Sequence, residues 1–199
     1  SEVQRKKNKK EIQLELAVQE LLDTEAEYCS RMRAFVDSVV VPLKKKVKDG
    51  QLLQVHAESV RVFTDMENLL RLNVFFLEQL RTRYKTEKIR CVGEIMCEFA
   101  KTLLRNYEDF VSRYPTANLY LLENKRDSRE FSETLDLGLQ TLPSNCRQSL
   151  DDYLILPVQR LMRYKMMLER IVSLTQDEKA FFDLQTALAA VCETVDSIN

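Results

Sequence analysis

The sequence predicts an all-α fold, an elongated antiparallel bundle of about six principal helices. Three observations lead there. Apolar residues recur three and four apart over long stretches, the period of a buried helix face. Only three glycines and four prolines punctuate 199 residues, too few for the frequent turns of a β-rich fold. Short connections join the long amphipathic segments, which favours antiparallel neighbours. No repeat of solenoid length is present.

The first helix is expected over residues 9–47, with Leu14, Val18, Leu21, Tyr28, Met32, Phe35 and Val39 on its buried stripe. Glu25 interrupts that stripe, and a carboxylate there needs a fixed cationic or hydroxyl partner. Asp49 and Gly50 supply the stop signal. A short helical turn over 51–55 leads to a second long helix over 57–84, which buries Phe63, Met66, Leu70, Val74, Leu77 and Leu80. The stretch Thr86 to Lys88 breaks it. A third helix, 89–113, should stop before Pro115, and shorter helices follow at 116–125 and 128–139. After a turn at Leu142 to Asn145, Asp151 and Asp152 cap a further helix. Pro157 cannot donate to the carbonyl of Tyr153, so a helix start or kink is expected there. The last helix, 177–199, carries Leu184, Leu188, Val191, Val195 and Ile198.

Composition narrows the function. Thirty basic and 31 acidic side chains nearly cancel, which gives no reason to expect nucleic acid as a partner. The basic runs at Arg5 to Lys10 and Lys44 to Lys48 read as a solvated terminus and the polar end of the first helix, so membrane contact is expected only indirectly. Five cysteines form no Cys-x-x-Cys pair, as in a reduced, cytoplasmic protein. No apolar run approaches the roughly 20 residues of a membrane span, and no signal peptide opens the chain. The basic beginning and abrupt end suggest a piece of a longer protein. His56 is the sole histidine and reads as a surface or capping residue near a helix start. It cannot supply the paired Glu-x-x-His motifs of a di-iron bundle, and no phosphate loop, HExxH or nucleophile elbow is present. Neither covalent catalysis nor a cofactor is expected.

The run Leu154 to Ile171, LILPVQRLMRYKMMLERI, carries the most information. Leu154, Val158, Leu161, Tyr164, Leu168 and Ile171 form its core stripe. Gln159, Arg163, Met166 and Arg170 form a second stripe, which mixes amide, cations and thioether where a merely solvated face would intersperse Lys and Glu. Gln159 and Arg163 stand one turn apart on one side.

This run resembles the third conserved region of the Dbl homology domain, the helical module that drives nucleotide exchange on Rho-family GTPases. Leu154, Ile155, Pro157, Val158, Gln159, Arg160, Arg163 and Tyr164 fit the family pattern. Leu156 stands where Lys is usual. Residues 11–43 resemble the first region, with its Glu-Leu-Leu, Thr-Glu, Tyr and closing Pro-Leu. Residues 106–142 resemble the second, through Tyr107, Phe110, Tyr114, Pro115 and Ala117. The three occur in the family's order, so the resemblance divides the chain into a basic extension, 1–10, and a Dbl homology domain, 11–199.

The resemblance implies an exchange factor that makes and breaks no covalent bond. It implies that Glu20 contacts the GTPase's switch I, that Gln159 and Arg163 engage switch II, and that Asn199 reaches the same segment. It also implies that the first, signature and last helices lie side by side. Arg163 is more often Lys in this family. Ile155 fits a position that leans to Rac-type partners and Arg147 one that favours Rho, so the GTPase stays open among Rac, Rho and Cdc types. A neighbouring pleckstrin homology domain outside residues 1–199 is implied as a partner, with membrane recruitment through such parts. The competing readings are a helical scaffold, which would show longer uninterrupted heptads, and a silent docking module of the same fold.

Overall fold

The computed structural model describes residues 1–198. Among them are eight α-helices and no strand: α1 (Glu2–Phe35), α2 (Val41–Lys48), α3 (Ala57–Glu87), α4 (Ile89–Thr102), α5 (Leu104–Asp127), α6 (Arg129–Gln140), α7 (Leu150–Leu174) and α8 (Glu178–Ile198). A π-helical segment, Val36–Val40, joins α1 to α2, and a 3₁₀ turn, Ser144–Cys146, precedes α7. The all-helical expectation holds. The helix boundaries differ from it at several places, each with a local cause.

Gly50 closes α2 in a left-handed conformation, φ +72°. Its amide donates to the Val47 carbonyl and that of Gln51 to the Lys46 carbonyl, the paired bonds of a Schellman ending. Residues 51–55, expected to form a short helical turn, are irregular instead, with Gln54 also at positive φ. His56 caps α3 through its carbonyl, which accepts from Ser59. The third expected helix is split near Leu103, and Pro115 lies inside α5 instead of ending a helix. Tyr107, Phe110, Ala117 and Leu121 are all buried on one stripe of α5, before and after that proline. Their burial, at roughly 1.5–3 kcal/mol for each large side chain, outweighs the ~3 kcal/mol that an interior proline costs. Likewise α7 starts seven residues before Pro157. Its cap is Ser149 and not Asp151 or Asp152: Ser149 Oγ accepts from the Asp152 amide at 3.2 Å, and Asp152 Oδ2 accepts from the Ser149 amide at 3.0 Å. That reciprocal pair is a capping box. Ser128 caps α6 by accepting from the Phe131 amide, and Asp177 caps α8 by accepting from that of Ala180.

The chain forms two compact units. The first holds Ser1–Glu27, Leu72–Arg105 and the chain from Gln159; the second holds Tyr28–Arg71 and Asn106–Val158. In the first unit α4 packs closely on α8, where Gly93 meets the Ala180 backbone. Phe76, Phe99 and Tyr164 form an aromatic cluster there, Phe99 edge-on to Tyr164 at 5.0 Å. On α3 the buried residues include Asn73 and Phe76, whereas the expected Val74 is only half-buried.

The core of the second unit gathers Phe35, Phe63 and Tyr153, the first and last stacked at 4.6 Å. The Tyr153 hydroxyl donates to the Cys146 carbonyl. Pro42 lacks an amide hydrogen, so the Ser38 carbonyl has no donor four residues on. The helix widens there, and Val41 donates five residues back, to Val36. Gly138 of α6 approaches this widened turn so closely that a methyl group on it would stand 2.6 Å from the Ser38 carbonyl oxygen. Alanine in place of an ordinary helical glycine stabilises by up to ~1 kcal/mol. Here Gly138→Ala should instead destabilise by roughly 1–3 kcal/mol through overpacking. Thermal melting of the two proteins checks the sign.

Candidate functional site

Glu25 and Glu20 lie five residues apart on α1, on different sides of the helix, and their surroundings are opposite in kind. Glu25 is wholly buried in the first unit, together with Asn73 of α3 and Tyr164 and Arg160 of α7. Arg160 donates to Glu25 Oε2 from Nη2 at 2.6 Å and from Nε at 3.1 Å. The Tyr164 hydroxyl donates to the same oxygen at 2.6 Å. Asn73 Nδ2 donates to Oε1 at 2.7 Å, and Arg160 Nη1 reaches Thr24 Oγ1 at 2.9 Å. The Arg160 guanidinium also covers the Tyr164 ring, 4.5 Å from its centre. The carboxylate thus has the cationic and hydroxyl partners that its place on a core stripe demanded.

Burial works against the Arg160 charge, but Tyr164 and Glu25 outweigh it and hold the guanidinium above its ordinary pKa. Sequence reasoning missed Arg160 and Asn73 as members of this network. The signal was phase: Arg160 stands four residues before Tyr164 and eight before Leu168 on the buried stripe, and Asn73 lies between Leu70 and Leu77 on α3. A polar residue in phase with the core needs a partner as Glu25 does.

The network clamps α1, α3 and α7 and so sets what α1 and α7 present to solvent. Gln159, Arg163, Met166 and Arg170 form an exposed stripe on α7. The Glu20 side chain, 42 % exposed, faces that stripe from α1. Its Oε2 accepts from Arg170 Nη1 at 3.2 Å, and its Oε1 lies 3.9 Å from Arg163 Nη2. The structure thereby brings Glu20 and Arg163 together, with Gln159 one turn earlier on α7 and Met166, 68 % exposed, between the two arginines. Ile155 and Arg147 lie in the second unit, where Arg147 Nε donates to the Leu142 carbonyl at 3.4 Å. Asn199 lies outside the described residues. The surface offers an acceptor, an amide, two guanidiniums and a thioether, the groups of a protein-recognition patch. Among the described residues no cluster of His, Cys, Asp or Glu is placed to hold a metal ion, and no helix is long and apolar enough to cross a membrane.

The fold and this patch define an all-helical module with a mixed polar surface on α1 and α7. The RhoGEF domain model matches residues 17–199, and the chain belongs to that family. It is 27% identical over 188 residues to Rho guanine nucleotide exchange factor 37 of Homo sapiens, aligning 92% of this chain with 26% of that protein. It is 25% identical over 182 residues to protein ECT2 of Mus musculus, aligning 90% of this chain with 20% of that protein. The chain therefore spans about a quarter or less of these curated relatives. Its backbone resembles the DH/PH domains of p115-RhoGEF, with a TM-score of 0.78 and 20% identity over 96% of this chain and 52% of that one. It also resembles autoinhibited Vav1, with a TM-score of 0.80 and 20% identity over 96% of this chain and 34% of that one. At such identities these two structures speak for the fold alone.

Removing one member of the buried Glu25–Arg160 pair leaves the other as an unpaired charge, at a cost of about 3–5 kcal/mol. Glu25→Ala and Arg160→Met should each lower stability by about that much. The double variant should lose clearly less than the sum, because neither charge is then stranded. Urea unfolding of the three variants measures the coupling.

Proposed function

We propose that the chain is a guanine nucleotide exchange factor that accelerates GDP release from a Rho- or Rac-type small GTPase by holding its switch segments in their nucleotide-free shape. The RhoGEF match across residues 17–199 carries this reading. Such an activity needs no covalent step. A surface that binds the empty GTPase better than the loaded one must, by linkage, weaken nucleotide affinity by the same factor.

In this reading Glu20 accepts hydrogen bonds from amides or hydroxyls of switch I, where a carboxylate makes the stronger, charge-assisted kind. Gln159 and Arg163 engage switch II, and Asn199 reaches the same segment. The guanidinium of Arg163 forks differently from the lysine more usual there, so its contact differs in detail. Ile155 and Arg147 bear on which GTPase is accepted. A pleckstrin homology domain beyond residues 1–199 and recruitment of a cytoplasmic protein to membrane belong to the same proposal.

The test is release of a fluorescent GDP analogue from a panel of Rho-family GTPases, with the chain present in catalytic amounts. Acceleration of at least one, with the complex dispersed by excess GDP, is expected. No acceleration by the folded protein across the panel would overturn the activity. Glu20→Ala should slow release ten- to a hundredfold, the worth of a charged hydrogen bond at ~1.5–3 kcal/mol. It should change stability by less than ~0.5 kcal/mol, as at other surface positions. Stopped-flow exchange and thermal melting of the same preparation separate the two effects.

A further inference from the structure

The Glu20 carboxylate is held unevenly. Arg170 takes one oxygen, Oε2, through a single hydrogen bond of 3.2 Å. The other, Oε1, accepts no hydrogen bond from a described residue; Arg163 faces it at 3.9 Å, a charge contact beyond bonding distance. Arg170 stands seven residues after Arg163 on α7, so the two guanidiniums bracket the carboxylate from either side. All three side chains are about half exposed, and none is part of the core.

We propose that Arg170 is a positioning residue for Glu20: by anchoring Oε2 it directs Oε1, beside the Arg163 guanidinium, toward the GTPase. The inference rests on the proposed exchange activity and adds a residue to its site. A glutamate side chain free on a helix surface samples several rotamers, and a partner that needs one of them must select it. An anchor on one oxygen makes that selection beforehand while leaving the other oxygen's lone pairs for the partner. Because the anchor is one N–H and not a two-pronged grip, a lysine ammonium at the same place can replace it.

The experiment is nucleotide exchange on a GTPase that the unmodified chain accelerates, measured as the slope of release rate against concentration. Arg170→Ala should lower the slope roughly three- to fivefold, the size an exposed ion pair supplies, with an unchanged melting temperature. Arg170→Lys should return it to within about twofold of the unmodified chain. In a Glu20→Ala background, Arg170→Ala should have no further effect, because a positioning residue acts only through the group it positions.

Equal rates for Arg170→Ala and the unmodified chain would overturn the proposal. An undiminished loss in the Glu20→Ala background would also overturn it, because Arg170 would then touch the partner itself. So would a loss accompanied by a lowered melting temperature, which would place Arg170 in the fold. An unmodified chain that accelerates no Rho-family GTPase would overturn the proposed activity and this inference with it. Failure of Arg170→Ala alone leaves that activity standing.

Discussion

One buried carboxylate organises the first unit. Glu25 occupies a position where the periodicity of α1 calls for a hydrocarbon, and its carboxylate is held there by Arg160, Tyr164 and Asn73. A buried ion pair of this kind contributes little net stability over an apolar equivalent. Its consequence is geometric. A hydrocarbon stripe tolerates sliding of one helix along another, whereas a carboxylate with three directional partners accepts a single register between α1, α3 and α7. Residues four and five positions away on the same helices are thereby placed as well.

Glu20 shows what that register does. It sits five residues before Glu25 and faces solvent, and its neighbours are Arg163 and Arg170, three and ten residues after Arg160. Two glutamates on one helix thus meet arginines of one other helix, one pair in the core and one at the surface. The inner pair is buried and directional and serves the fold. The outer contacts are solvent-exposed and weak, so breaking them would leave the helices beneath undisturbed. In the proposed function this difference in burial gives the patch a rigid base and labile tips.

The prolines and Gly138 show the limits of local rules. Pro115 was expected to stop a helix and Pro157 to start or kink one, and both lie inside helices. In each case large side chains on both sides of the proline face the core, and their burial outweighs the missing hydrogen bond. Pro42 does leave a mark, because the helix responds with a π turn that α6 meets through Gly138. The same residue type is absorbed in one place and accommodated in another, according to what packs beside it.

From the sequence by itself came the helical class, the extent of most helices, the anomaly at Glu25 and the family resemblance, because each rests on periodicity or on short strings of residues. The stripe of Gln159, Arg163, Met166 and Arg170 was visible for the same reason. The tertiary structure decided which residues answer that anomaly, since Arg160 and Asn73 lie 135 and 48 positions from Glu25 and no local pattern links them. It also decided where helices end, because a proline's cost is local whereas the packing that offsets it comes from other helices. Only the fold could show that the Glu20 carboxylate meets Arg170 as well as Arg163. Such a meeting depends on the register between α1 and α7, which a chain written in one dimension does not state.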